Sequence, residues 1–210
     1  MPTVPAELIS RRQRVIRPRD LRDRYRNPTA ELTRLERAGI AKQVAYGYYV
    51  LIPAEFVGSD AWRPSIEALA LGVAVADYGP AQTAVMGISA ARLLGIVPRA
   101  LALGSVAVPG RRPELETEVG TIVFHTRDTA KLALRRVDTD LAVGYQTTRE
   151  QTLLDLIRFR SRWNISDAVI DEAVGRLSET VHVDQVRDLA RRQRCLWVLD
   201  ELGSRFDRSG

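Results

Sequence analysis

Few residues in this chain have the side chains and spacing that catalysis requires. It contains two histidines, His125 and His182, and each follows an apolar neighbour, Phe124 and Val181. Cys195 is the only cysteine, so neither an internal disulfide nor a multi-cysteine zinc site can form. There is no Gly-x-Ser-x-Gly elbow and no Gly-x-x-x-x-Gly-Lys phosphate loop. Asp138-x-Asp140 is an acid pair of the kind that holds a metal in nucleotidyltransferases. However, Gly104-Ser105 is too far upstream to grip phosphate beside it, and Asp-Thr-Asp is also an ordinary turn. Metal-dependent nucleases place a lysine two residues after an acid, and neither Lys42 nor Lys131 has that spacing. Asp155 has no chemical role beyond a structural hydrogen bond. The expectation is a protein without catalytic residues, metal or cofactor.

Cations are the group present in excess. The 210 residues carry 31 basic and 26 acidic side chains, a formal net charge of +5. Residues 1–50 hold eleven basic and five acidic residues, so the remainder is close to neutral at −1. Apart from Lys42 and Lys131 every basic residue is arginine, a bias that a GC-rich genome also produces. The type of cation is therefore uninformative. Its clustering over residues 11–42 points to a polyanionic partner.

Several elements would have to position this cluster. Pro5 opens a first helix with Leu8 and Ile9 inward, and the β-branched Val15 and Ile16 read as a short strand. Pro18 opens a second helix with Leu21 and Tyr25 on its apolar side. Asn27-Pro28 is an N-cap followed by a favoured first residue, and the third helix runs to Ala38 and stops at Gly39. The period then changes to two, with Ile40–Val44 and Tyr48–Ile52 as strands joined by a turn at Ala45-Tyr46-Gly47. Residues 53–64 form a connector. Beyond it the sequence predicts helices over Ser65–Tyr78 and Ala81–Leu94, the latter interrupted near Gly87. Strands follow at Ala102–Val108, Thr121–His125 and Ala142–Tyr145, then helices over Thr148–Arg160, Ser166–Leu177 and Asp184–Leu202.

Three helices and a two-stranded ribbon make a winged helix-turn-helix, whose third helix enters the major groove of DNA. Thr29, Ala30 and Thr33 are small and let the backbone approach. Arg34 and Arg37 reach base edges or phosphates. Asn27 starts the helix at an end that attracts phosphate. Arg17, Arg19, Arg22, Arg24 and Arg26 surround the second helix, while Lys42, Gln43 and Tyr46 lie on the ribbon. Arginines beside acids, as in Arg22-Asp23 or Glu31 with Arg34, are equally an ordinary solvated face. A winged helix that contacts protein instead of DNA is the alternative.

The run Leu32-x-Arg34-Leu35-x-Arg37-Ala38-Gly39-Ile40-x-Lys42, with Gly47-x-Tyr49-Val50-Leu51, resembles the winged helix of AbiEi-family antitoxins. The later segments Ile88-Ser89-Ala90-Ala91-Arg92-Leu93-Leu94-Gly95-Ile96, Val106–Arg112 and Thr147–Leu156 are similar to that family's C-terminal motifs, with Gln151 in place of the usual arginine and Met86 near a usual histidine. The likeness spans residues 5–160. It implies an antitoxin of a two-gene operon with two jobs. Two copies would bind inverted repeats of double-stranded DNA in the protein's own promoter. The C-terminal domain would counteract a nucleotidyltransferase-like toxin, directly or functionally.

The expected fold class is α+β, with a winged helix-turn-helix over residues 1–57 and a mixed α/β domain over 58–210 carrying a small sheet and several helices. The start of the chain lacks the apolar stretch of a signal peptide, and no run is apolar enough to span a bilayer, so a cytoplasmic location without membrane contact is expected.

Overall fold

The computed structural model describes residues 12–59, 62–163 and 165–206. Among them are seven α-helices and two sheets, of three and six strands, in a mixed α+β arrangement. The helix expected from Pro5 lies outside the described residues.

The smaller sheet is antiparallel in the order β1-β3-β2, where β1 is Val15–Ile16, β2 is Ala41–Ala45 and β3 is Tyr48–Leu51. Helix α1, Pro28–Arg37, packs Leu32 and Leu35 onto it, with Ile16, Leu21, Ile40 and Tyr49 completing a small core. The local signals act as expected. The Asn27 side chain accepts from the Ala30 amide at 3.2 Å, Gly39 ends the helix at φ +67°, and Gly47 turns the hairpin at φ +78°.

The expected second helix is only a single 3-10 turn, Pro18–Leu21. Leu21 is its one buried residue, and Arg22 and Arg26 would face each other as like charges four apart on an α-helix. Asp20 reinforces the short turn by accepting from the Arg17 amide at 2.9 Å.

Helix α2, Ile66–Tyr78, is almost wholly apolar and is buried all round from Ile66 to Ala74, with its one charge there, Glu67, paired to Arg92. One face meets Val15, Val44 and Val50 of the small sheet. Another meets Val106, Val108, Ile122 and Phe124 of the large sheet, all in one apolar cluster. Gly72 permits this approach, since a Cβ there would lie 2.4 Å from Val15 Cγ2. Two hydrogen bonds reinforce the seam: Gln13 Nε2 to the Gly72 carbonyl at 2.7 Å and the Arg14 amide to the Leu141 carbonyl at 2.8 Å.

The larger sheet has the order β6-β7-β5-β4-β9-β8. Its strands are β4 (Ala84–Val85), β5 (Leu103–Val108), β6 (Leu115–Thr117), β7 (Gly120–Thr126), β8 (Leu134–Asp138) and β9 (Val143–Thr147). β5 is buried along its whole length and pairs parallel with β7 and antiparallel with β4. Its far face packs on α3 (Gly87–Leu93), α4 (Arg149–Arg158), α5 (Asp167–Ser178), α6 (Val183–Arg192) and α7 (Trp197–Phe206), around the fully buried Trp163.

Four expectations need correction here. The stretch 81–94 is not one helix: Ala84–Val85 forms a strand between β5 and β9, and only Gly87–Leu93 is helical. Thr83 to Met86 are all fully buried, so the demand of the sheet for a central strand overrides the helical look of the segment. β6 and β8 are additional edge strands whose patterns, Leu-Glu-Thr and Leu-Arg-Arg-Val-Asp, contain too little alternation to be read. The third strand runs Val143–Thr147, since Ala142 lies in the turn before it. The final helix is two helices, broken where Arg194 adopts φ +54° and Cys195 is buried.

Candidate nucleic-acid interface

Helix α1 turns its polar side outward. Ala30, Arg34 and Arg37 are exposed while Leu32 and Leu35 are wholly buried. Tyr46, at the hairpin tip, is 95% exposed. Between helix and hairpin lies an open hollow of about 430 Å³, which brings together Arg17, Arg19, Arg22, Thr29, Gln43 and Tyr46. These are six of the residues singled out from sequence.

The cations of this face fall into two groups. Arg22, Arg26 and Arg37 are exposed and form no ion pair with any described residue. Arg34 is clamped by Glu31 at 3.0 and 2.6 Å, and the amide of Gln43 donates to Glu36 at 2.8 Å. Lys42 pairs with Glu118 at 2.8 Å. Thr33 donates to the Thr29 carbonyl at 3.1 Å, so its hydroxyl is turned back onto the helix. The helix start offers less than expected. Asn27 occupies the Ala30 amide and Pro28 has none, leaving the Thr29 amide as the open donor there.

Arg17 and Arg19 converge on Asp77, in the last turn of α2. Arg17 bonds both Asp20 and Asp77, Arg19 reaches Asp77 at 3.1 Å, Arg112 bonds it from the loop between β5 and β6, and the Tyr48 hydroxyl donates to it at 2.7 Å. The side chains of Asp77, Arg17 and Arg112 are only 11, 11 and 15% exposed. Arg112 also lies over the Phe124 ring, 4.0 Å from its centroid. Burial, with the Asp77 hydrogen bond second, pushes the Tyr48 phenol up to about 12. Sequence reading did not foresee this hub. The available signal was a carboxylate near a helix C-terminus, where the dipole disfavours it unless cations gather there.

The remaining chemistry-bearing residues lie elsewhere. His125 is buried at 5% exposure between Trp163 and Phe159, with ring centroids 4.9 and 5.8 Å away, and its Nε2 has no partner. It borders an open cavity of about 680 Å³ with Arg111 and Arg162. Burial, aided by Arg162 and Arg127, pushes its imidazole down to about 4, so it is neutral at physiological pH. Asp138 ends β8, and Asp138 and Asp140 flank Thr139, whose hydroxyl donates to the Ala142 carbonyl at 2.8 Å. Among the described residues no group of three or more acids, histidines or cysteines is arranged to hold a metal. No described helix is long and apolar enough to cross a membrane.

Asp155 is fully buried beneath a network. It accepts from Arg127 at 2.9 Å and from Gln151 at 3.0 Å, and Arg127 also donates to Gln193 at 2.7 Å. Burial raises its carboxyl above the usual carboxylate range against the pull of Arg127.

The chain matches no protein-family model and no curated protein sequence. The likeness to AbiEi-family antitoxins accordingly stands on the short motifs quoted above.

Proposed function

We propose that residues up to about 57 act as a winged helix that binds double-stranded DNA, and that the protein is an autoregulating antitoxin. The observation that carries the DNA reading is the outward polar face of α1 beside an exposed hairpin tip, with a hollow between them lined by Arg22, hydroxyl-bearing side chains and the Arg17 and Arg19 guanidiniums held on Asp77. A helix of ten residues with Ala30, Arg34 and Arg37 outward has the dimensions and donors that the major groove accepts. Arg22, Arg26 and Arg37, without an acid partner among the described residues, supply phosphate contacts that fix register. Two copies on inverted repeats follow from operator symmetry. The antitoxin role, and a nucleotidyltransferase-like toxin as its counterpart, rest on the motif likeness over residues 5–160.

A gel shift on the DNA upstream of the gene, repeated over a salt series, tests the first part. Affinity should fall steeply with salt, with a logarithmic slope of about 0.9 per phosphate contact. Arg34→Glu with Arg37→Glu should weaken binding at least about 30-fold, with the fold retained by circular dichroism despite loss of the Glu31–Arg34 pair. Parental affinity in that double variant overturns the assignment of α1.

One observation favours a protein-binding role instead: Arg17, Arg19, Arg34 and Lys42 are all engaged by acids of the same chain. Rescue from the neighbouring gene's product without any promoter binding would select that reading.

A further inference from the structure

The segment 51–210 is near neutral in sum, yet one cavity within it is strongly cationic. Its volume is about 520 Å³, and Arg127, Lys131, Arg158, Arg192 and Arg194 all line it. Two carboxylates stand against these five cations. Asp128 pairs with Lys131 at 3.4 Å, and the buried Asp155 pairs with Arg127. Arg192 and Arg194 are exposed and form no ion pair with any described residue. Arg158 ends α4 and Arg192 ends α6, and helix C-termini attract cations. Each terminus supplies about half a negative charge, so two of them offset about one cation and leave a clear excess.

The cavity floor is held in place. Arg127 is 11% exposed and fixed by Asp155 and Gln193. The Gln193 side-chain amide donates to Gln151 at 2.5 Å and to the Lys131 carbonyl at 3.3 Å. This arrangement orients a guanidinium before any ligand arrives, as anion sites require.

The backbone adds an independent observation. The Cys195 amide bonds the Ala190 carbonyl at 2.9 Å, closing α6 with a Schellman-type cap whose left-handed position is Arg194. That position favours glycine, and Arg194 is the one non-glycine residue with positive φ among the described residues. An arginine thus stands where glycine is preferred, on the rim of a cationic cavity.

We propose that this cavity binds a diphosphate or longer phosphoryl chain. Five cations, less two carboxylates and about one charge for the two helix termini, leave an excess of about two, which suits a diphosphate. A single carboxylate ligand would leave most of the charge unmet, whereas phosphoryl oxygens suit several guanidinium donors at once. Asp155 is a positioning residue for Arg127 in this site. The proposal does not depend on the DNA-binding role of residues 12–57.

Calorimetric titration of the full chain with inorganic pyrophosphate tests it. Saturable one-to-one binding is expected, at least about ten-fold tighter than inorganic phosphate. Arg192→Gln with Arg194→Gly should weaken it about ten-fold or more while the fold, followed by circular dichroism, is retained, because glycine suits the capping position. A nucleoside triphosphate and a 5′-triphosphorylated RNA oligomer, each in competition with pyrophosphate, separate the two sources of such a group. Displacement by one or both supports the proposal and identifies the source. Absence of saturable pyrophosphate binding at millimolar concentration overturns it, as does equal affinity in the double variant. Weakened operator binding by that variant without any pyrophosphate binding also overturns it, assigning the cavity to the DNA contact surface.

Discussion

Replacing Asp77 with alanine removes the group that ties the segment after β1 to the loop after β5. The carboxylate is 11% exposed and holds Arg17, Arg19, Arg112 and the Tyr48 hydroxyl. Arg17 keeps Asp20 after the change, and Arg19 is half exposed and regains water. Arg112 is left with the Tyr48 oxygen at 2.9 Å and two aromatic faces, so it bears most of the loss. Breaking a buried pair from one side costs roughly 3–5 kcal/mol. Partial exposure and the surviving Asp20 contact bring the expectation to about 2–4 kcal/mol. For a chain of this size each kcal/mol lowers the melting temperature by about 2–4 °C, so a fall of about 4–16 °C is expected by calorimetry. Asp77→Asn, which keeps an acceptor for Tyr48, should lie between this variant and the parent. A double-mutant cycle with Arg112→Gln should return a coupling of about 1 kcal/mol or more. A melting temperature within about 2 °C of the parent in Asp77→Ala refutes the hub as a stabilising joint.

His125 should make stability depend on pH. Its folded imidazole titrates near 4 and its unfolded one near 6.5, so the unfolded chain takes up the proton first. The stabilisation is complete above about pH 6.5, declines as pH falls towards 4, and amounts to about 3 kcal/mol over that window. Urea unfolding at several pH values, compared with His125→Phe, isolates this part from the carboxylates; equal slopes in both proteins reject it. Arg194→Gly alone should raise stability by about 1 kcal/mol, read as a small rise in melting temperature, by relieving the left-handed arginine. A lower melting temperature would show that the Arg194 side chain contributes more to the fold than its backbone costs.

What sequence revealed about this fold was its local punctuation. Asn27-Pro28, Gly39, Gly47, Ser65 and Gly79 all mark real ends, because caps and positive-φ turns depend on a few adjacent residues. Ser65, for example, accepts from the Ala68 amide at 3.1 Å. Elements defined by distant partners stayed hidden. Ala84–Val85 is a strand only because β5 and β9 flank it, and β8 exists because β9 offers it an edge. The second helix shrank to one turn because residues 18–26 offer little beyond Leu21 and Tyr25 for burial. The face of α1 was legible from its period, whereas the Asp77 hub is built of hydrogen bonds that reach up to 64 positions along the chain and leaves only the trace of a misplaced acid.

Segment charge proved a poor guide to where free cations lie, and the reason is physical. Summing over residues 1–50 returns an excess of six cations, but Arg17, Arg19, Arg34 and Lys42 are neutralised at contact distance by Asp20, Asp77, Glu31 and Glu118. Two of those acids, Asp77 and Glu118, come from beyond residue 50. The later segment thus lends two carboxylates to the earlier one, which turns its own sum of −1, 20 cations against 21 acids, into an effective +1. Arg192 and Arg194, without an ion pair to any described residue, gather with Arg127 and Arg158 in one cavity. A ligand responds to the potential of a surface at distances of about 10 Å or less at ordinary ionic strength, not to the charge of a stretch of chain. Two cationic surfaces thus stand out among the described residues: one around α1, largely quenched by acids of the same chain, and one at the α6–α7 junction, where two of five cations are paired.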